Sequence, residues 1–408
     1  MPRQNILIVG CSVAGPVLAT CLLLSDLPAS EKPRITILER ASGVRKQGQN
    51  VDIRSSGVSV IRKLGIDKLI RASTTGEVGV QWVDDKNAAW AAIPADMSGQ
   101  TATPTADIEI LRGHLAEICY QRSRTVSDEI KRQGGAGIDY IFGDHLDQLE
   151  QQGDKVNVRF AKSGQGQTFD VVVGADGLQS QTREMAFGAE GEKDRFHSLG
   201  MYSAYFSMPK GETDTMWRRW YHAPGRRGIM LRPDAQSGRT TASLWIVNQN
   251  DDQLLNLIKP GREVVPAQKE LLKEYFSGSG WESERVIREM MTAEDFYYDA
   301  IAQIKMDRWS KGRVVLVGDA GYVIHDGSII EYKLIDAAIA LRPSRAWVPH
   351  WLSRAPTIWR APSFSIQAMS TRLLPSTRRP CYRSFRMLRN WFLEYHTSCT
   401  RRQRGESR

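Results

Sequence analysis

Short apolar runs that end in glycine or an acid organise the N-terminal part of the chain. Residues 5–10 read NILIVG, a near-continuous apolar run that predicts a buried parallel strand. The apolar segment 16–24 predicts a helix, and residues 34–38 predict a second strand that ends at Glu39. Strand, turn, helix, strand and acid in this order predict a βαβ unit of the dinucleotide-binding type.

The turn between the first strand and the helix reads GCSVAG over residues 10–15. Gly10 permits a tight turn, Gly15 permits close contact between helix and strand, and the intervening N–H groups can hold a pyrophosphate. Glu39 is placed to accept a hydrogen bond from a ribose hydroxyl. Ser12 stands where the motif has its middle glycine. The residues therefore leave open whether this is an NAD site, an FAD site or a buried βαβ unit whose glycines only form turns.

Two later strand patterns also end in an acid. One leads into GADG, which contains Asp176, and the other leads into GDA, which contains Asp319. Acids just past strand ends lie at the carboxyl edge of a parallel sheet, where ligands bind in such folds. Arg112 begins an amphipathic helix pattern; taken alone, it would be an ordinary surface charge.

With these motifs the sequence resembles the single-component FAD monooxygenases of the para-hydroxybenzoate hydroxylase group, especially their fungal biosynthetic and tetracycline-inactivating branches. The markers are the glycine turn, Glu39-Arg40, the GQNVDIRSSG stretch at 48–57, the Arg112 helix, GADG and GDA, in the family's order. The resemblance implies an α/β fold: a Rossmann-like FAD-binding fold with an inserted antiparallel β-sheet substrate domain.

The resemblance also implies the cofactor site. Glu39 would bind the adenosine ribose, Arg112 the diphosphate region and Asp319 the ribityl–diphosphate part, while Asp176 would help couple FAD and NADPH binding. The full predicted set is Gly10, Ser12, Gly15, Glu39, Arg40, Gly48, Gln49, Arg54, Arg112, Asp176, Gly177, Asp319 and Ala320. Within it, Gly48, Gln49 and Arg54 would lie near the flavin ring.

In this family NADPH reduces FAD, and the reduced flavin and O₂ deliver one oxygen atom to the substrate. The resemblance implies hydroxylation or epoxidation of an aromatic or polyketide-like small molecule in secondary metabolite biosynthesis. Because the cofactor carries the chemistry, no catalytic acid or base is obligatory. The sequence assigns no catalytic acid or base; Arg218 and Tyr221 are the candidates for polarising or deprotonating a phenol, with a solvated surface position as the alternative. Trp217, Trp220 and Tyr221 are candidate pocket aromatics, with core packing as the alternative.

The motifs divide the chain into four segments. Residues 1–189 would form the first part of the FAD-binding domain, 190–290 the substrate-binding sheet and 291–322 the GDA part of the FAD-binding domain. Residues 323–408 would form an irregular tail, because they lack a periodic apolar face.

Composition and charge fit a cytoplasmic enzyme without nucleic-acid or obligatory protein partners. Five Cys in 408 residues form neither a disulfide framework nor a zinc motif, and neither a secretory signal nor an 18-residue apolar run is present. The net charge of +9 comes from residues 323–408, with 15 Lys and Arg against 5 Asp and Glu. Fourteen of these 15 are Arg, without the patterned Lys and Arg mixture of a phosphate-binding surface.

The sequence departs from the family after Ala320. Relatives continue with a loop and helix of the form xCPSPxSGxGTxLALxGAYxLAG, which enclose the flavin diphosphate. Here residues 321–361 read GYVIHDGSIIEYKLIDAAIALRPSRAWVPHWLSRAPTIWRA. Codons for residues 338–361, read from each third base, permit YCPSPISGMGTSLALAGAYxLAG. For example, Trp347-Val348, encoded TGG GTN, contains GGT for glycine.

A splice site fits the same segment. Residues 321–323 can encode the donor GTAYGT, residues 337–338 can encode the acceptor CAG, and removal of the intervening bases, about 50, restores the family's frame. We therefore expect the sequence after Gly321 to be a translation through a retained intron.

The alternatives are a divergent C-terminal domain, a flavoprotein remnant that lacks the flavin-closing loop, and another flavin oxidoreductase of the same fold. A flavin halogenase would carry a WxWxIP-type motif, which is absent. A dehydrogenase that binds only NAD would lack GADG and GDA.

Overall fold

The computed structural model describes residues 3–45, 48–98, 103–249, 251–258 and 263–322. The expectations for residues 323–408 lie outside these ranges. The strands are β1 (Asn5–Val9), β2 (Arg34–Glu39), β3 (Asn50–Asp52), β4 (Gly79–Val83), β5 (Ala89–Pro94), β6 (Glu109–Leu111), β7 (Ile138–Phe142), β8 (Leu146–Gln152), β9 (Lys155–Phe160), β10 (Gly166–Phe169), β11 (Val171–Gly174), β12 (Phe196–Pro209), β13 (Arg218–Ala223), β14 (Arg227–Asp234), β15 (Arg239–Val247), β16 (Tyr297–Ile304), β17 (Ser310–Lys311) and β18 (Val314–Leu316). The α-helices are α1 (Ala14–Leu23), α2 (Ser55–Lys63), α3 (Asp67–Ala72), α4 (Arg112–Arg132), α5 (Gln181–Phe187), α6 (Glu192–Arg195), α7 (Asp252–Asn256), α8 (Val265–Phe276) and α9 (Ser283–Thr292).

A mostly parallel sheet forms the first layer of the fold, with the strand order β17-β18-β11-β1-β2-β7 in the described residues. β1 lies between β11 and β2 and is parallel to both. Its apolar run is buried on both faces. Ile8 lies close to Gly15 of α1, whereas Leu7 packs with β8, β9 and β10 in a separate core cluster. This two-sided burial explains why the strand reads as a continuous hydrophobic run.

A second, largely antiparallel sheet has the order β16-β12-β15-β14-β13-β4-β5, again within the described residues. Alternate residues on one face pack against α7, α8 and α9; the buried members of this cluster include Tyr202, Phe206, Tyr221, Leu244 and Tyr298. The sheet is larger than the segment 190–290, because β4, β5 and β16 come from outside it.

The α/β fold class predicted from the sequence is confirmed: a Rossmann-like unit carries an inserted, largely antiparallel sheet. Among the described residues, no helix combines the length and the apolar character needed to cross a membrane.

Candidate active site

The glycine turn after β1 is sterically required. Gly10 has φ +116°, and a Cβ atom there would lie 2.3 Å from the carbonyl oxygen of Ala175. A Cβ at Gly15 would lie 2.0 Å from the carbonyl oxygen of Gly10. α1 begins directly after this turn and has no side-chain cap at its N-terminus. Its first N–H groups therefore face the carboxyl edge of the sheet without an internal acceptor, as a pyrophosphate site requires.

Glu39 at the end of β2 is held against this turn. Its carboxylate accepts from the backbone N–H groups of Cys11 and Ala41, each at 2.9 Å. The carboxylate is buried, and Arg45 Nε lies 3.8 Å from Oε1. These bonds leave lone pairs on both oxygens, so Glu39 can also accept from ribose hydroxyls. Arg40 beside it is exposed.

The segment around β3 packs against Arg112 at the start of α4. Gly48, with φ +133°, packs on Arg112: a Cβ there would lie 3.0 Å from Arg112 Cδ. The Arg112 backbone N–H donates to the Gln49 carbonyl at 3.0 Å. Arg54 pairs with Asp52 at 2.9 Å, and the same nitrogen donates to a backbone carbonyl in the following loop.

The GADG turn is held in shape by hydrogen bonds to the carboxylate of Asp176. Asp176 accepts from Ser180 Oγ at 2.5 Å, from the Thr182 backbone N–H at 3.0 Å and from Thr182 Oγ1 at 2.9 Å. Burial raises the pKa of Asp176, against the lowering effect of these bonds. The acid therefore shapes the turn that packs on Gly10, and Gly177 supplies a left-handed residue with φ +86°.

The GDA turn reaches the same sheet edge. A Cβ at Gly318 would lie 3.2 Å from the Ala14 Cβ, so this turn packs on the start of α1 and brings Asp319 beside it. Arg183, a fully buried residue that the sequence did not single out, donates to the Ala320 carbonyl at 2.8 Å and pairs with Glu192. Arg183 thus links the GADG helix to the GDA turn.

These residues fit FAD. We call the glycine turn at residues 10–15, the segment at 48–54, and the GADG and GDA turns together the cradle. Its close-packed glycines have no room for a side chain, and the sheet edge presents N–H groups and acids where a dinucleotide needs them. Within the described residues, the Gln49 Oε1 atom and both amide atoms of Asn50 are buried without hydrogen-bond partners. Buried amides of this kind require polar partners, which the flavin ring or diphosphate would supply.

The large sheet meets this cradle at β16. Tyr297 donates to Asp299 Oδ2 at 2.5 Å, and the Ala300 N–H donates to Oδ1 at 2.9 Å. Burial raises the pKa of Asp299, while nearby Arg112 lowers it and Asp319 raises it. Asp299 of the large sheet therefore lies within electrostatic range of Arg112 and Asp319, two of the residues predicted to bind FAD.

The face of the sheet opposite α7–α9 is aromatic. Trp220 and Trp245 stack with centroids 6.1 Å apart, Tyr205 meets Trp245 edge-on at 5.7 Å, and His222 lies 5.5 Å from Trp220. Of the predicted pocket aromatics, Trp220 lies on this face. Tyr221 lies on the opposite face, in the helix-side core, where its hydroxyl donates to the Ser279 carbonyl at 3.0 Å.

Trp217 packs beside the Gly79 backbone at the start of β4. Sequence reasoning missed His222, Trp245 and Tyr205. Their signal was the period-2 alternation along β13, β15 and β12, which puts each of them on the face opposite the helix-side core.

Arg218 belongs to a buried ionic cluster. Glu77 accepts from Arg232 Nε at 2.9 Å and from Thr105 Oγ1 at 2.7 Å, and Arg218 Nε lies 3.3 Å from it. Arg232 also pairs with Glu109 on β6. Burial alone would raise the pKa of Glu77, but the two arginines hold it below its usual range. The Arg218 guanidinium thus connects β13 to the segment beside β6, and both candidate catalytic side chains have structural partners.

His222 gives the site a measurable pH dependence. Burial lowers the pKa of its imidazole to about 4 from the usual 6.5. As the pH falls, His222 therefore binds a proton near pH 6.5 in the unfolded chain but only near pH 4 in the folded chain. Between these values, protonation stabilises the unfolded state. We expect the free energy of unfolding of the wild type to fall by about 3 kcal/mol more than that of His222→Phe between these pH values.

Urea unfolding of the two proteins at pH 7, 6, 5 and 4 measures this difference. Tyr221→Phe is the matched control: it removes a hydrogen bond on the same strand, so it shifts stability equally at each pH. Parallel pH profiles for the wild type and His222→Phe would contradict the prediction.

Comparison with known proteins finds a matching family, related sequences and a related solved structure. Residues 3–325 match the model of the FAD binding domain family. The "FAD-dependent monooxygenase asL6" of Sarocladium schorii is 36% identical over 324 residues, which cover 78% of this chain and 74% of that protein. The "Flavin-dependent monooxygenase eupH" of Phoma sp is 32% identical over 79% of this chain and 72% of its own length.

A solved structure, that of tetracycline destructase Tet(51), has a TM-score of 0.67 and 28% identity over 83% of this chain and 80% of the other. FAD as cofactor and oxidoreductase activity, both predicted from the sequence, are confirmed. The chain therefore belongs to the FAD-dependent monooxygenases of the para-hydroxybenzoate hydroxylase type.

Proposed function

We propose that the protein uses NADPH and O₂ to add one oxygen atom to an aromatic or polyketide-like small molecule. The observation that carries this proposal is the aromatic face of Trp220, Trp245 and Tyr205, on the sheet that meets the FAD cradle at Asp299. Small-molecule sites are typically apolar and aromatic with a few polar groups, as this face is. A role in fungal secondary metabolism follows from the resemblance to that branch of the family.

In this proposal each segment of the cradle holds one part of FAD. Glu39 accepts from the adenosine ribose, the start of α1 holds the pyrophosphate, and Arg112 and Asp319 hold the diphosphate and ribityl parts. The segment at Gly48–Arg54 faces the flavin ring. Asp176 acts through the turn that it closes, which keeps the Ala175 carbonyl against Gly10.

When bound, FAD would pass electrons from NADPH to O₂, and the oxygen atom that is transferred would come from O₂. The chain binds and orients the substrate and excludes water. His222 is neutral near pH 7 because its pKa is about 4, so it adds no positive charge to the aromatic face. The neutral imidazole and the indoles suit an uncharged or weakly acidic aromatic ring.

The proposal is tested by supplying ¹⁸O₂ and NADPH to the FAD-loaded protein, in the spliced form described below, with a panel of hydroxylated aromatics. We expect one ¹⁸O atom in the product and one NADPH consumed per turnover. Tyr221→Phe, on the helix side of the sheet, should retain the activity, whereas Gly15→Val should lose FAD. NADPH consumption that yields only hydrogen peroxide with every aromatic would overturn the proposal.

We also propose that the working enzyme carries the family's flavin-closing loop, restored by splicing between codons 321 and 338. The family match ends at residue 325, close to the point where the reading frame changes. The relatives align with 78–79% of this chain, as expected if the rest is out of frame.

A further inference from the structure

The indole N–H of Trp220 is a buried donor for which the described residues provide no acceptor. Other indoles near this sheet are paired: Trp245 Nε1 donates to Ser243 Oγ at 2.9 Å, and Trp281 Nε1 donates to Asn87 Oδ1 at 2.9 Å. A buried indole N–H normally finds a partner, because leaving it unpaired costs free energy. The unpaired N–H of Trp220 lies on the aromatic face, so we expect a ligand to supply its acceptor.

Gly228 lets this N–H lie close to the backbone of β14. It lies in the middle strand between the two indoles, in register with Trp245 on one side and His222 on the other. Its φ is not in the left-handed region, so the backbone conformation does not require glycine there. A glycine inside a strand weakens the sheet, which indicates that space is the reason for it.

The indole edge of Trp220 occupies the place that a side chain at residue 228 would take. A Cβ atom there would lie 3.1 Å from Trp220 Nε1 and 3.7 Å from Trp245 Cβ. The missing side chain lets the two indoles stack across β14 and leaves the N–H next to bare backbone. The successive rings of Trp220, Trp245 and Tyr205 form a surface longer than one benzene ring.

We propose that Trp220 determines substrate specificity. Its indole N–H donates to an oxygen atom of a planar, multi-ring aromatic substrate that lies over Gly228 and Trp245. This inference rests on the proposed function and names the class of its substrate: fused aromatic rings with a carbonyl or phenol oxygen at one edge. An oxygen at that edge would remove the cost of the unpaired donor, and a hydrocarbon would not.

The test uses two probes of the same shape, 1,8-dihydroxyanthraquinone and anthracene, which differ in their oxygen atoms. Quenching of tryptophan fluorescence in the full chain gives Kd for each probe, and the ratio of the two values is the readout. We expect Trp220→Phe to weaken dihydroxyanthraquinone binding roughly three- to tenfold relative to anthracene, as loss of one hydrogen bond requires.

Trp245→Phe is the matched control: it also removes one indole N–H, but one that bonds within the protein, so both probes should weaken together and the ratio should hold. Gly228→Ala leaves both indoles intact and places a methyl group beside Nε1, so it should weaken dihydroxyanthraquinone binding relative to anthracene, as Trp220→Phe does. Far-UV circular dichroism checks that each variant is folded.

A ratio unchanged in both Trp220→Phe and Gly228→Ala would overturn the inference, as would a wild type that does not bind dihydroxyanthraquinone. FAD retention and NADPH consumption are measured separately, on protein made from the spliced message, because that protein carries the family's flavin-closing loop. If they fail there while the probe ratio behaves as expected, the proposed function is at fault and the aromatic face of Trp220, Trp245 and Tyr205 is not.

Discussion

Arg183→Met will lower the free energy of unfolding by about 3–5 kcal/mol and weaken FAD binding, because removing one partner of a buried ion pair leaves uncompensated polar groups. The Arg183 side chain is 1% exposed and pairs with Glu192. Its guanidinium also donates to the carbonyls of Ala320 and Leu178, at 2.8 and 2.9 Å. One side chain thus holds the GADG segment and the GDA turn together. Urea unfolding and FAD titration measure the two effects.

Arg132→Met is the control for this prediction. Arg132 pairs with Glu129 on the exposed side of α4, and its side chain is 72% exposed. Exposed pairs contribute little, so the same substitution there should change stability by less than about 0.5 kcal/mol. Arg183→Lys keeps the charge but loses the planar guanidinium, so its loss of stability should lie between those of Arg183→Met and Arg132→Met. If Arg183→Met and Arg132→Met lower the free energy of unfolding by the same amount, the GDA turn does not depend on Arg183.

The first βαβ unit was predictable because its signals are local. The strand predicted at residues 5–10 is β1 (Asn5–Val9), and the helix predicted at 16–24 is α1 (Ala14–Leu23). Apolar runs buried on both faces and glycines in tight turns report on their immediate neighbours in the chain. The same holds for Glu39, whose partners Cys11 and Ala41 follow the ends of β1 and β2.

The large sheet was only partly predictable because strand pairing is not local. β13 pairs with β4 in parallel although more than 130 residues separate them, and this pairing brings Trp82 beside Trp220. Alternation along β13 shows that Trp220 and Tyr221 lie on opposite faces. It does not show which face meets α7–α9, and pairing register decides that. Tyr221 therefore looked as suitable for a pocket as Trp220 did.

Arg183 illustrates a different limit. A charged residue shortly after a glycine turn is usually at the surface, and the sequence gives no sign of its burial. Its partners become visible only when the Ala320 turn, more than 130 residues later, returns to the same sheet edge. Ionic clusters such as Glu77 with Arg218 and Arg232 were hidden for the same reason.

Protein made from the spliced message will retain FAD through purification and bind it roughly a hundredfold more tightly than the 408-residue chain. The restored loop resembles the family segment that encloses the flavin diphosphate. Two hydrogen bonds to a charged group, at about 1.5 kcal/mol each, are worth a factor of that size. Flavin absorbance after gel filtration and fluorescence titration of FAD measure the difference. A chain that ends at Gly321 is the control, because it lacks both the loop and the residues that follow in the present frame.

A synonymous change at codon 321 separates splicing from every effect of the protein sequence. The donor requires the third base of that codon to be G, so GGG→GGA encodes the same 408 residues while destroying the GT at the splice junction. If the spliced protein is the enzyme, this silent change should abolish the oxygenated product in cells and leave only the long transcript. A silent change in the third base of codon 320 should have little effect on either. If cells with GGA still form the product, the 408-residue chain is itself active and the splicing proposal is wrong.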